Sequence, residues 1–389
     1  MSPRILLITK TDYIEPRDGG TLRVSSIVRE LTAAGFAVDA VPTKSAEGRA
    51  RESTGRTRWG AVARVVWASA RIGSASVARW FSAGAASEIA ELVSRNSYDA
   101  VVIEYSQLLI YRPLVKSLPI LLDMHNIEFE LLANFATSGG SLPKRIIARY
   151  EAARVRRLET RGAIRRVAAI TTVSAHDAEL LTELARIDPA RIVTAPNGVS
   201  TEAFELVKQT DPTPTAVFIA HLGWQPNVDA AQWLAAQVWP SVRQTVPDAR
   251  LELIGRSPTR SVRQYDGVDG ITVHPDVPST MPYLARAAAA TAPLLAAGGT
   301  RLKILEAMAT GTPVVATGLG AMGLEQLVGN GGLVIEDAAP AYAAALAATM
   351  TAPPAPDGIR ASVRSFRWDV ALEPLIASLR GIIAARGAR

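Results

Sequence analysis

Gly298-Gly299-Thr300-Arg301-Leu302-Lys303-Ile304-Leu305-Glu306-Ala307-Met308-Ala309, continuing as Thr310-Gly311-Thr312-Pro313-Val314-Val315-Ala316-Thr317, is the stretch whose reading decides the fold. A glycine pair opens it, residues 301–309 read as a helix, and residues 313–317 form a short apolar strand. Two glycines let a ligand approach the backbone, Thr300 can cap the helix, and the free amides of its first turn favour an anion. A diphosphate fits there. Arg301 and Lys303 add positive charge near the helix start, and Glu306 lies one turn beyond Lys303. On spacing alone, an i, i+3 surface ion pair reads equally well.

Working outward, the same alternation of short apolar runs with amphipathic stretches fills the chain and predicts parallel strands joined by helices. Strands are expected at residues 5–8, 37–41, 100–103, 120–123, 168–173 and 191–195, then at 217–220, 250–254, 271–273, 290–294, 313–317 and 332–335. Helices are expected at 21–34, 228–238, 301–309 and 368–385. At 389 residues the chain exceeds the size at which one core keeps growing. We expect an N-terminal Rossmann-like domain over residues 1–204, a second over 205–366 entered through a polar linker at 205–215, and a helix at 367–389 that returns to the first domain.

Composition excludes several chemistries. There are no cysteines, so disulfides, thiolate metal sites and thiol nucleophiles are ruled out. The apolar run at residues 5–8 is too short for a signal peptide core, no run reaches the length of a membrane span, and a cytoplasmic protein is expected. A net charge of +6 favours an anionic partner. The four histidines show no metal-ligand spacing, so no metal is expected.

The 298–317 segment, together with Pro196-Asn197-Gly198-Val199 and the two-domain length, resembles the retaining nucleotide-sugar transferases of glycosyltransferase family four. That family has the GT-B fold: α/β, two Rossmann-like domains facing each other across a cleft. The resemblance implies that Glu306 holds the donor ribose and that Thr300, Arg301, Leu302 and Lys303 hold the diphosphate. It also places the Asp18-Gly19-Gly20 loop, which precedes Arg23, near the donor phosphates. Asp123-Met124-His125 leaves the end of an apolar strand, where alternation puts Asp123 and His125 on one side. A lone histidine there is more often structural; the family keeps one that contacts the donor sugar. Val273-His274-Pro275-Asp276-Val277-Pro278 resembles the family's base-reading loop, which makes Val277 a donor contact, and Arg256 at a strand end is another. Ser174, with Asp177 three residues on, reads as a helix cap.

Two features depart from the family. Many members carry a glutamate at the position of Gly298, whose surroundings meet the donor sugar, and an arginine and a lysine after the first strand of the second domain. Here that stretch, His221-Leu222-Gly223-Trp224-Gln225-Pro226-Asn227, has neither. Arg301 and Lys303 are the available replacements, and Gly298 and Gly299 would meet the sugar through backbone amides.

Between residues 144 and 166 nine basic residues face two glutamates, and Arg145, Arg149 and Arg156 share a helical face. Residues 59–72 put Trp59, Val62, Val66 and Ala70 on one side, with Arg64 and Arg71 beside Trp67. An interfacial helix on anionic membrane would look like this, as would an ordinary helix with solvated arginines. Nucleic-acid binding is not expected, because no stacking aromatics accompany the charge.

The resemblance therefore implies a metal-independent, retaining transferase needing no cofactor. Its substrate would be a nucleotide diphosphate sugar, with UDP or GDP the expected carrier, and its acceptor a glycan, lipid-linked or small molecule in bacterial-type polysaccharide or glycoconjugate synthesis. His125, Arg301 and Lys303 are its candidate catalytic residues. A sugar-nucleotide epimerase and a non-catalytic nucleotide-sugar-binding protein are the alternatives.

Overall fold

The computed structural model describes residues 2–14, 19–45, 58–138, 142–209, 213–295, 302–329 and 332–387. The chain divides into two compact units, Met1–Asn197 with Ala371–Arg389, and Gly198–Val370.

In the first unit six parallel strands, β1 (Arg4–Thr9), β2 (Ala37–Pro42), β3 (Ala100–Glu104), β4 (Ile120–Met124), β5 (Ala169–Thr172) and β6 (Ile192–Thr194), lie in the order β2-β1-β3-β4-β5-β6. In the second, β7 (Thr215–Ile219), β8 (Arg250–Gly255), β9 (Ile271–Pro275), β10 (Ala289–Ala292), β11 (Val314–Ala316) and β12 (Leu333–Ile335) lie in the order β12-β11-β10-β7-β8-β9. All twelve expected strands form. The apolar runs of β1, β3 and β4 are nearly continuous and buried because helices cover both faces of the sheet. In β8, Leu251 and Leu253 enter one core layer and Ile254 the opposite one.

The helices that matter below are α1 (Gly19–Ala33), α2 (Trp59–Ile72), α3 (Glu128–Ser138), α4 (Leu142–Thr160), α5 (Gln225–Trp233), α6 (Leu302–Ala309) and α7 (Glu373–Gly387). The expected helix at 228–238 begins three residues earlier, where Pro226 occupies the first turn, and ends in a wider turn over Leu234–Val238. The expected helix at 368–385 is two pieces, Trp368–Ala371 and α7; Pro374 can start a helix but not continue one. α7 packs on β3, β5 and β6 of the first unit.

The units part at Asn197 and Gly198, ahead of the segment read as a linker. That segment is anchored in the second unit: Gln209 N donates to Ala285 O (2.9 Å), and the Lys208 ammonium donates to Leu284 O (2.9 Å) and Thr312 Oγ1 (3.0 Å). Gly198 is required where it stands, since a Cβ there would sit 2.6 Å from the Trp368 ring. Val199 N donates to Phe366 O and Trp368 N to Val199 O, which holds that approach.

Candidate functional site

In open α/β sheets, ligands bind beyond the strand C-termini at the point where strand order reverses. The first sheet reverses between β1 and β3, the second between β7 and β10. Each point carries buried charge.

At the first, β3 ends in Glu104 and β4 carries Asp123 one residue before its end, with His125 just beyond it. Arg23 reaches Asp123 from α1 through two hydrogen bonds, Nε to Oδ2 (2.9 Å) and Nη2 to Oδ1 (2.7 Å), and Thr171 Oγ1 donates to Oδ1 (2.5 Å). Arg23 Nη1 also donates to Pro196 O (3.1 Å) and Asn197 Oδ1 (3.3 Å), tying the Pro196-Asn197 turn to the strand ends. Arg23, Glu104 and Asp123 are fully buried and His125 nearly so. His125 Nε2 lies 3.1 Å from Asp123 Oδ2 and 3.9 Å from Glu104 Oε2, aligned for a hydrogen bond with neither. Its ring packs on Tyr105, centroids 4.0 Å apart. Tyr105 holds φ 63°, a strained conformation for a non-glycine residue. The Lys10 ammonium lies 3.5 Å from the Tyr105 ring centroid and pairs with Glu128 at 3.2 Å.

The electrostatics follow from burial. Desolvation raises the Glu104 carboxyl well above its ordinary value, and the Asp123 charge adds to it. Desolvation opposes the Asp123 charge too, but Arg23 overcomes it and holds that carboxyl far below the usual range. Burial lowers the His125 imidazole against the pull of Asp123, which keeps the ring neutral near neutral pH. Glu104, Asp123 and His125 are the one group among the described residues spaced like metal ligands. Both Asp123 oxygens already accept from Arg23, an arrangement ill-suited to a divalent cation.

At the second reversal, α6 begins beside β7 and β10. Lys303 lies 5.3 Å from the Phe218 ring centroid and lines a small void with Val217, Ile219, Thr291 and Ala292. Lys303 and Glu306 keep some surface but are crowded by protein. Burial pushes the lysine down to about 8 and the glutamate up to about 7, and each one's charge resists the other's shift. Neither is a freely solvated surface ion. Leu302 is buried at the helix start and packs inward, leaving its backbone for any ligand.

The β8 end approaches the loop after β7, and the β9 end meets the β8 end. Gly255 (φ 155°) would place a Cβ 1.6 Å from Ala220 O, so only glycine fits. Ser257 N donates to Asp276 Oδ1 (3.0 Å), Ser257 and Asp276 both hold positive φ, and Asp276 N donates to Gly255 O. Arg256 is exposed on this rim, and Val277, partly buried, packs its side chain against the core layer that contains Ile254.

Of the residues singled out from sequence, Gly19 and Gly20 start α1 at the first reversal, and Asp123 and His125 meet there as strand alternation requires. Lys303 and Glu306 occupy the second. Gly298, Gly299, Thr300 and Arg301, with Asp18, lie outside the described residues. Ser174 Oγ accepts from Asp177 N (3.1 Å), the cap that the sequence suggested. Sequence reasoning missed Glu104, Lys10 and Tyr105. A charged residue ending the apolar run Ala100-Val101-Val102-Ile103 was the readable signal for the first; the Tyr105 backbone had none.

Comparison with known proteins agrees with this geometry. Residues 17–203 match the model described as Glycosyltransferase Family 4, and residues 213–352 that described as Glycosyl transferases group 1. No curated protein matches the sequence at a significant level. Among solved structures, the chain is similar to a glycosyltransferase from Rickettsia africae ESF-5 (TM-score 0.69, 12% identity, 98% of this chain and 99% of that one). It is also similar to the catalytic domain of starch synthase IV from Arabidopsis thaliana bound to ADP and acarbose (0.64, 14%, 98% and 99%). A third is WaaG, a glycosyltransferase involved in lipopolysaccharide biosynthesis (0.63, 14%, 96% and 98%). With both sheets in Rossmann-like order and both halves matching models of one enzyme group, the chain belongs to the family-four-like glycosyltransferases of GT-B fold.

Proposed function

We propose that this glycosyltransferase takes its sugar from a nucleoside diphosphate donor, with retention of anomeric configuration and without a metal. The observation that carries the reading is the pair Lys303 and Glu306 at the β7–β10 reversal, a cation and a carboxylate held in partly desolvated positions on one helix. There, Lys303 neutralises the diphosphate and Glu306 accepts from the ribose hydroxyls. Arg301 and the amides of Gly298 to Leu302 supply the remaining donor contacts. Arg256 stands at the rim of the second unit's site and the Val277 backbone reads the base, while Gly19 and Gly20 are assigned to the donor phosphates by the family resemblance alone. The ADP bound in the similar starch synthase domain supports a nucleoside diphosphate as the carried group.

The family resemblance assigns the neutral His125 to the donor sugar. Same-face attack breaks the bond from the anomeric carbon to the phosphate oxygen, and that oxygen takes the acceptor's proton. The protein's contribution is positioning and stabilisation of the leaving charge. Metal independence is supported by Arg23, which holds both oxygens of Asp123. The proposed setting is the cytoplasm, where nucleotide sugars are supplied, with a glycan or lipid-linked acceptor of a polysaccharide or glycoconjugate.

The test is a thermal-shift and calorimetric panel of UDP, GDP, ADP and dTDP with their sugars, in the presence of a chelator. A preferred ligand raises apparent stability by mass action. Slow hydrolysis of one donor supports transfer. Conversion of the donor sugar to an epimer would replace the proposal with the epimerase reading, and binding without turnover against every acceptor would leave a binding protein.

A further inference from the structure

Of 17 exposed large apolar side chains among the described residues, nine lie on α2, α3 and α4 of the first unit. On α4 Leu142, Ile146 and Tyr150 are spaced i, i+4, i+8, so they form one outward ridge, with Ile147 beside it. α3 packs along α4 and adds Phe135, 53% exposed. The ridge meets α2 at Tyr150, whose hydroxyl donates to Gly73 O at the end of that helix (3.4 Å). From there α2 continues the surface with Trp67 and Trp59, 62% and 74% exposed. Val62, grouped with this face from the sequence, turns into the core instead.

The acids around this apolar surface are largely paired or withdrawn: on α3, Glu128 pairs with Lys10 at 3.2 Å and Glu130 lies 3.6 Å from His176. Both acids of α4 are withdrawn. Glu151 accepts from the Ser74 and Ser76 hydroxyls and the Ala75 and Ser76 amides, and Glu159 accepts from Ser106 Oγ and the Glu128 and Phe129 amides. α2 contains no acid. Two of the three arginines grouped from sequence are also engaged: Arg145 donates to Ala136 O, and Arg156 lies over the Phe129 ring. Lys144 and Arg149 remain exposed beside the ridge, Arg154 stacks on Tyr150, and Arg71 stacks on Trp67. Single exposed apolar side chains are ordinary on a water-facing helix, but tryptophan and isoleucine gathered on neighbouring helices beside arginines mark an interaction surface. No described helix is long and apolar enough to cross a membrane.

We infer that this face of the first unit is a docking surface for an anionic lipid bilayer, with Trp59, Trp67, Ile146 and Ile147 entering the headgroup boundary and the basic side chains meeting lipid phosphates. A protein partner would offer acidic side chains that leave water at the arginines; a bilayer satisfies both chemistries across a flat area without a matching shape. The proposal does not depend on the donor reading.

The test is co-sedimentation of the full chain with phosphatidylcholine vesicles, alone or with about one-third phosphatidylglycerol, at low and high salt. Binding should require the anionic lipid and weaken with salt. Lys144→Gln/Arg149→Gln should lower partitioning roughly fivefold per charge removed. Ile146→Ser/Ile147→Ser should lower it at both salt levels. All four side chains are wholly or largely outside the core, so the variants should melt like the parent. Equal recovery with neutral and anionic vesicles overturns the inference. So does self-association of the parent, without vesicle binding, that Ile146→Ser/Ile147→Ser abolishes, since the occupant is then a second copy.

Discussion

The Arg23 guanidinium grips the Asp123 carboxylate through two hydrogen bonds of 2.9 and 2.7 Å, with both side chains at 0% exposure. A hundred residues apart in sequence, they join α1 to the end of β4 and set the floor beneath His125. A buried pair of this kind is costly to break from one side, because the remaining charge has no water to turn to.

Arg23→Met should therefore cost about 3–5 kcal/mol in urea unfolding, and Arg23→Met/Asp123→Leu should recover much of that loss. A single variant as stable as the parent would mean that Asp123 finds another partner or a proton.

Nucleotide affinity should follow a bell in pH. Glu306 binds ribose hydroxyls best as a carboxylate, and its carboxyl is raised to about 7; affinity should fall as pH drops below that value. Lys303 neutralises diphosphate only when protonated, and it is lowered to about 8; affinity should fall again above that value. The two limbs belong to the pair. Titration calorimetry with a nucleotide sugar, whose diphosphate does not itself titrate there, reads both. Glu306→Gln should remove the acid limb and move the basic limb lower, because Lys303 loses its attractive neighbour. A flat profile from pH 6 to about 9 would take both residues out of the donor site.

His125→Ala should lower kcat by roughly 10² to 10³ if the imidazole donates at developing charge. Glu104→Gln is the control for Glu104 being held protonated. An amide mimics the neutral carboxyl, so activity should change little, whereas a large loss would show that Glu104 acts as an anion.

Gly255→Ala should destabilise the second unit by about 1–3 kcal/mol or more, since its Cβ would overlap Ala220 O and push away the loop after β7. Donor affinity should drop in the same variant. Unfolding at the parent's midpoint with unchanged affinity would argue that this rim yields freely and does not shape the base site.

Gly298 suggests unusual tolerance of deoxy donors, because no carboxylate is left unpaired when a ring hydroxyl is missing. Competitive kcat/KM for a donor and its 3-deoxy and 4-deoxy analogues is the measurement. Discrimination near the ~10⁴ of a site built to bond a hydroxyl would show that another polar side chain stands in.

The sequence by itself determined the order and type of the elements. The clearest are written locally: Ile5-Leu6-Leu7-Ile8 and Ala100-Val101-Val102-Ile103 are apolar on both faces, as strands covered on both sides must be, and Ser174 marks a helix start through its side-chain cap. Asp123 and His125 were legible as a pair for a similar reason, two positions apart across the end of one strand.

Tertiary structure alone decided what those residues face. Arg23, Glu104, Asp123 and Tyr105 converge because β3 and β4 lie side by side and α1 crosses their ends, a proximity that no local spacing encodes. Lys303 and Glu306 read from spacing equally well as a surface pair or as part of an anion site, and only the packing of α6 near β7 and β10 reveals their desolvation. Helical periodicity on α2 and α4 defined faces, but not which would be covered. Burial of Glu151 and Glu159, and exposure of Trp67 and Ile146, were settled by the neighbours each face met, since solvation depends on what surrounds a side chain and not on where it stands in the chain.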